Sequence, residues 1–332
     1  RLHISKLKTS QFRIGFVNRV KVPRASQEST SINMSCFYGP GSKKKKTVDE
    51  GNLTPRDVQV NVEPSYDDAC LLIIDPQNDF HTGGSLAVSG ADEDALRISS
   101  FINTHSERIG SIVITLDSHN REHIAHSHYW ENSEENEPPP FTQILSTDIG
   151  SKWRPKNEAN LPHALEYTKA LEKKGRFTLT IWPDHCIIGT KGHEVVPPIL
   201  EATEKFLWSA VYPFKSVVSV KKGMNNLTEM YSAVEAEVPI PDDPRTSCNK
   251  QLIAHLKKSK KVIICGQALS HCVNYTTRDV LQHWAPRNPA DLIILSDCAS
   301  SVTGFEADGQ KFLNDMAAAG VTIRRSTEIL EI

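Results

Sequence analysis

The chain has 332 residues, 39% of them apolar and 23% charged, a composition that excludes wholesale disorder. No apolar run approaches the roughly 18 residues of a spanning helix, so no membrane span is expected. With 38 basic against 40 acidic side chains the net charge is −2, and no global positive field draws the chain to nucleic acid or anionic lipid.

The first 46 residues depart from that average. They hold eleven Lys or Arg and one acid, Glu28, among many hydroxyl residues, and include the run from Lys43 to Lys46. Such a leader reads either as an organelle-targeting peptide or as a solvated tail, and the lysine run as a contact for a nuclear carrier or an anionic surface. Met34 offers a further reading, in which translation starts there and the preceding residues are an upstream remnant. Residues 1–63 are therefore assigned to an N-terminal extension and 64–332 to one catalytic domain. The seven cysteines, Cys36, Cys70, Cys186, Cys248, Cys265, Cys272 and Cys298, include no C-x-x-C pair. They fit neither a disulfide framework nor a zinc ribbon, and point to a reducing, cytoplasmic setting unless the leader directs import.

Beyond Pro64 short apolar runs alternate with stretches of helical spacing. The runs Ala69 to Ile74, Ile112 to Leu116, Phe206 to Ala210, Val217 to Val220, Val262 to Cys265 and Leu292 to Leu295 read as strands buried on both faces. Between them the spacing predicts helices from Ala95 to Ile109, His163 to Leu171, His193 to Lys205, Cys248 to Lys258, His271 to Trp284 and Ala307 to Ala319. Strand followed by helix, repeated, predicts a three-layer α/β/α fold with a mostly parallel, Rossmann-like central sheet. Residues 127–179 read as an insertion. In such a sheet ligands gather beyond the carboxyl ends of the strands, which makes the residues after each run the first candidates for chemistry.

Four such positions stand out. Asp75 ends the first run, where burial would raise its proton affinity; taken alone it reads as a helix cap. Asp117, Ser118 and His119 follow the second run, with His123, His126 and His128 close behind. A carboxylate and imidazoles at that spacing form a partial transition-metal shell, although a histidine-rich loop alone is more often polar surface. The segment from Trp182 to Cys186 adds His185 beside an aromatic ring. Cys272 follows a strand and a glycine turn near a helix N-terminus, a setting that favours thiolate, whereas Cys70, Cys265 and Cys298 read as small buried apolar residues.

In this order the segments resemble the isochorismatase-like cysteine hydrolases, and within them the nicotinamidases. Asp75-Pro76-Gln77-Asn78-Asp79-Phe80 with Gly83-Gly84-Ser85-Leu86 is similar to the family's opening motif, and Asp117-x-His119-x-x-x-His123 to its metal loop. Trp182-Pro183-Asp184-His185-Cys186, Lys222-Gly223 and Gly266-Gln267-Ala268-x-x-His271-Cys272-Val273 resemble the remaining motifs. Chance would supply one of these, not five in order.

The resemblance implies a hydrolase of linear amide bonds serving NAD salvage and pyridine nucleotide synthesis, with Asp75, Lys222 and Cys272 as its triad. It further implies a cis bond between Gln267 and Ala268 and an oxyanion hole from the amides of Ala268 and Cys272. A divalent metal, zinc by resemblance, would be held by Asp117, His119 and His185, with His123 as a further ligand. Phe80, Trp182 and Tyr231 would flank a small-molecule amide, and self-association is left open. Two alternatives remain at this point: a triad enzyme for other amides or ureido compounds, and a non-catalytic subunit of an assembly.

Overall fold

Apolar runs rich in Val, Ile and Leu need cover on both faces, and a parallel sheet between two helical layers supplies it. The computed structural model describes residues 69–209 and 215–329. The extension expected over 1–63 lies outside the described residues. Within them β1 (Ala69–Ile74), β2 (Ile109–Asp117), β3 (Ser216–Lys222), β4 (Val262–Gly266), β5 (Leu292–Leu295) and β6 (Thr322–Arg324) form one six-stranded sheet. The order is β6-β5-β4-β1-β2-β3, and every neighbouring pair is parallel.

The helices are α1 (Ala91–His105), α2 (Leu161–Lys174), α3 (Pro197–Trp208), α4 (Lys250–Leu256), α5 (Asn274–Gln282) and α6 (Glu306–Ala318). Alternation along β1 divides the core. Leu71 and Ile73 pack with Ile98 and Ile102 of α1 and with Ile199 and Phe206 of α3. Leu72 and Ile74 face the other way, toward a core that contains Leu256, Val280 and Phe312 of α4, α5 and α6 and Tyr167 and Leu171 of α2. This is the three-layer α/β/α fold, with the period of two along a strand sending neighbours to opposite layers.

Three boundaries differ from the sequence reading. The run from Phe206 is not a strand: Phe206 belongs to α3, where it shares a buried stripe with Ile199, Ala202 and Thr203 at helical spacing. That helix starts at Pro197 rather than His193, because proline suits the first turn and resists the positions after it. The first helix ends at His105, and Ile109 opens β2 instead. The short strand β6 escaped notice because only Ile323 interrupts its polar run.

Segment 127–179 is folded into the core on the α2 side. Trp130–Glu131 pairs antiparallel with Arg154–Pro155, and Gln143–Ile144 with Leu179–Thr180. Trp130 is wholly buried and its indole N–H donates to the Ile124 carbonyl at 2.7 Å. Among the described residues no helix is long and apolar enough to cross a membrane.

Candidate active site

Four adjacent strands, β4, β1, β2 and β3, end at the same edge of the sheet, so the residues that follow or close them converge. Asp75 follows β1, Asp117 closes β2 and Lys222 closes β3. The Lys222 ammonium lies 3.0 Å from Asp75 Oδ2 and 3.0 Å from Asp117 Oδ1. It also donates to the Met230 carbonyl at 3.1 Å and stands 3.4 Å from Cys272 Sγ. Asp75 is fixed from behind: Thr115 Oγ1 donates to its Oδ1 at 2.6 Å and accepts its backbone N–H at 3.0 Å.

All of these groups are buried, and burial sets the scale of their mutual effects. Burial raises the Asp75 carboxyl above its ordinary range, with Lys222 pulling the other way. Burial alone would raise Asp117 too, but His119 and Lys222 hold it well below the carboxylate range. Lys222 would lose its proton to burial, yet Asp117 and Asp75 push it well above the usual lysine value. The site therefore keeps one fixed cation between two carboxylates of different proton affinity.

After β4 the chain must turn sharply beside β1. Gly266 has φ +111°, and a Cβ there would lie 2.1 Å from the Ile74 carbonyl, so only glycine fits. The bond from Gln267 to Ala268 is cis. A single π-helical turn, Leu269–Val273, then leads into α5 and carries Cys272. Gln267 is anchored from α1 through its side-chain amide to Asp94 Oδ2 at 2.9 Å. The sequence placed Cys272 near a helix N-terminus, and it is there, but the expected lowering of its thiol is not. Burial pushes it well above the usual cysteine range, and the Asp75 carboxylate adds to the rise against Lys222.

The metal-ligating candidates lie across Lys222 from the thiol. Asp117 Oδ2 is 3.0 Å from His119 Nε2 and 3.2 Å from His185 Nε2. The other nitrogens of both rings are anchored: His119 Nδ1 contacts the Gly223 carbonyl at 3.1 Å and His185 Nδ1 the Pro183 carbonyl at 2.8 Å. Each ring thus presents its Nε2 beside the carboxylate. That donor set fits a divalent ion. Gly223, at φ +73°, leaves the space, since a Cβ would lie 2.7 Å from His119 Cε1.

His123 and His126 are wholly buried in the same cluster, their ring centroids 4.3 Å and 5.1 Å from that of His119. His126 was noted in sequence only as part of a histidine-rich loop. Gln77 belongs to the first motif; its side-chain amide donates to the Asp117 carbonyl at 2.8 Å and its Oε1 accepts the Asp117 N–H at 2.7 Å. Nothing in the spacing marks that clamp, because it joins residues 40 apart. Asp79 Oδ2 likewise accepts the Cys186 N–H at 2.6 Å, tying the first motif to the third.

The three aromatic candidates divide into two positions. Phe80 stands edge-on to His185 at 5.7 Å, on the metal side. Trp182 and Tyr231 lie on the other, joined by an indole-to-phenol hydrogen bond of 2.9 Å. Both also pack edge-on against His271, at 5.1 Å and 5.2 Å, with Phe305 at 4.8 Å from the same ring. His271 and Phe305, not foreseen as site residues, line with Tyr231, Phe177 and Tyr275 a cavity of about 500 Å³ beside the turn that carries Cys272. One further metal-ligating cluster among the described residues, Glu235, Cys248 and His283, lies apart from this site and half-exposed.

No family model matches the chain. It is 26% identical over 263 residues to a nicotinamidase of Acinetobacter baylyi, covering 78% of this chain and 94% of that one. A nicotinamidase of Saccharomyces cerevisiae is 28% identical over 207 residues, or 62% of this chain and 78% of its own. Among solved structures, an Acinetobacter baumanii nicotinamidase and pyrazinamidase superposes with TM-score 0.53 at 21% identity, covering 80% and 99% of the two chains. The yeast nicotinamidase bound to the inhibitor nicotinaldehyde gives 0.53 at 21%, covering 77% and 99%. The chain thus shares the fold of these solved structures and is similar in sequence to nicotinamidases.

Proposed function

We propose that this protein is a metal-dependent cysteine amidohydrolase, a nicotinamidase that converts nicotinamide to nicotinate and ammonia. Its sequence likeness to nicotinamidases supports the broader class, a hydrolase of linear amide C–N bonds acting on a small molecule. The observation that carries the reading is the buried meeting of Lys222 with Asp75 at 3.0 Å and with Cys272 at 3.4 Å.

In this reading Asp75, whose proton affinity burial raises, takes the Cys272 proton as Sγ attacks the amide carbonyl carbon. Lys222 stays cationic beside both groups and offsets the negative charge as it passes from carboxylate to the attacked carbonyl. The amides of Ala268 and Cys272 receive the oxyanion. Collapse breaks the C–N bond, Asp75 returns its proton to the departing ammonia, and a thioester on Cys272 remains. Water, deprotonated by Asp75, then releases the acid and restores the thiol.

Asp117, His119 and His185 would hold the divalent ion, zinc by resemblance. When bound, it would supply a docking point for a substrate ring nitrogen, separate from the thiol chemistry. Phe80, Trp182 and Tyr231 would pack around the ring. We place residues 1–63 outside the catalytic domain, and the six described cysteines, all free, accord with a reducing compartment.

The test is ammonia release by the zinc-loaded full chain across nicotinamide, pyrazinamide, ureido compounds and aliphatic amides. Preference for the ring-nitrogen amides supports the proposal. Turnover only of the others would assign the chain to another amidohydrolase activity, and no turnover at all would leave a non-catalytic member.

A further inference from the structure

Both candidate fourth ligands from the histidine loop are wholly buried, but their hydrogen bonds differ. His123 is fully engaged: its Nε2 meets the Thr228 carbonyl at 3.2 Å and its Nδ1 accepts the Ala125 N–H at 3.2 Å. A neutral imidazole has one N–H and one lone pair, and here both are used. His126 has no well-formed hydrogen bond at either ring nitrogen, only a weak contact with the Arg121 backbone. Burying a ring so poorly partnered is costly and rare in native proteins, so its retention points to a ligand.

The surroundings say which kind. The His126 ring lies 5.1 Å from His119, 5.3 Å from His123 and 5.2 Å from His185, centroid to centroid. Its ligand atom falls within 4.8 Å of those of His119 and His123, a group that shares His119 with the adjoining group of Asp117, His119 and His185. Its Nδ1 faces Asp184 Oδ1 at 3.9 Å, which leaves Nε2 for the opposite side of the ring. A carboxylate behind one imidazole nitrogen with a cation at the other is the usual outer arrangement of a metal-bound histidine. The backbone holds this loop in place: the Trp182 N–H donates to the Ala125 carbonyl at 2.8 Å, and the His119 N–H to the Cys186 carbonyl at 3.1 Å. The segments bearing His126 and His185 are thus tied side by side.

We propose that His126, rather than His123, supplies the fourth protein ligand to the ion held by Asp117, His119 and His185. His123 instead braces the loop through Thr228 and Ala125. The inference rests on the metal part of the proposed function, and it gives the ion three imidazoles and one carboxylate, enough for a closed four-coordinate shell.

The full chain, stripped of metal and reloaded with zinc or cobalt alone, tests this. His126→Phe should weaken zinc binding at least about 10-fold by chelator competition, change the visible cobalt spectrum and shrink the zinc-induced rise in Tm. The stripped variant should melt no lower than stripped wild type, because a poorly partnered polar ring has been removed. His123→Asn should lower the Tm of the stripped protein more than it lowers zinc affinity. Pulsed EPR of the copper-loaded protein counts the imidazoles: three in wild type and in His123→Asn but two in His126→Phe support the proposal, and two in wild type, or three in His126→Phe, overturn it. Cobalt at Glu235, Cys248 and His283 would show sulfur-to-metal charge transfer, which the proposed ligand set cannot give. If His126→Phe keeps wild-type zinc affinity and cobalt spectrum, the inference fails while the hydrolase reading stands. If wild type binds no divalent ion, both the inference and the metal dependence fail, and amide turnover is judged separately.

Discussion

The proposed triad and the histidine cluster meet at Lys222 but are built by different means. Asp75 and Lys222 stand at the ends of the two strands that flank β2, where the register of each with β2 fixes their separation before any loop is placed. His119, His126 and His185 stand on two irregular segments held by isolated bridges, His119 with Ile187 and His126 with Trp182. Strand ends give a site whose geometry follows from the fold, while loop-borne ligands depend on clamps such as Gln77 on Asp117 and Asp79 on Cys186. The first kind of site resists perturbation, and the second is open to change in ligand number.

The largest effect that would test this division is loss of the proposed nucleophile. Cys272→Ala should reduce amide turnover roughly a thousandfold or more while leaving metal content unchanged, since the thiol and the ion occupy separate halves. Thioester trapping by mass spectrometry on wild type checks the same assignment. Retention of more than a few per cent of activity by Cys272→Ala would place the nucleophile elsewhere.

Lys222 joins the halves, so its removal should injure both. Lys222→Met leaves two buried carboxylates, Asp75 and Asp117, without their shared cation, and breaking a buried pair in this way typically costs about 3–5 kcal/mol. Denaturant unfolding of the metal-free protein reads this directly. A loss below about 1 kcal/mol, the scale of an exposed ion pair, would show that the ammonium does not hold the carboxylates together.

The same division explains what could be read in the sequence. The runs Ala69–Ile74, Val262–Gly266 and Leu292–Leu295 are legible because burial on both faces demands unbroken apolar residues, and the residues after them follow by topology. The segment Phe206 to Ala210 misleads because an apolar run is ambiguous between strand and buried helix until the prolines at Pro197 and Pro198 are given weight. Asp75, Asp117, Lys222 and Cys272 were visible as strand-end residues and motif letters. His126 and His271 were in view as letters without roles, since their significance lies in which ring nitrogens lack well-formed hydrogen bonds and which aromatic rings surround them. The depressed or raised titration of a group is equally invisible, because burial is a property of the fold.

His271 offers a smaller test on the aromatic side. Burial among Trp182, Tyr231 and Phe305 pushes its imidazole down to about 4. The folded protein therefore binds fewer protons there than the unfolded chain between pH 4 and the usual histidine value of about 6.5. The stability this ring contributes is full above that upper value, declines as pH falls through the window, and levels off below the lower one. The slope cannot exceed about 1.4 kcal/mol per pH unit for one group. In His271→Gln the profile of stability against pH should be flatter than that of wild type across that window; identical profiles would mean that the ring is solvated in solution.

The smallest expected effect concerns the region farthest along the chain from the site. Every residue used by either half lies between Asp75 and Phe305, and β1 begins at Ala69. A chain beginning at Asn61 should therefore fold and turn over substrate with kcat and KM within about twofold of the full chain. The eleven basic residues and one acid of the first 46 would act instead on anionic surfaces, through contacts screened beyond about 8 Å at physiological salt. Retention of the full chain on such a surface should fall with added salt, and the shortened chain should not be retained. A tenfold fall in kcat on shortening, equal to about 1.4 kcal/mol of barrier, would mean that the leader contributes to the catalytic site or to a subunit contact the site needs. The strand-end half would then no longer be set by the sheet alone, and the boundary between extension and catalytic domain would have to move toward the N-terminus.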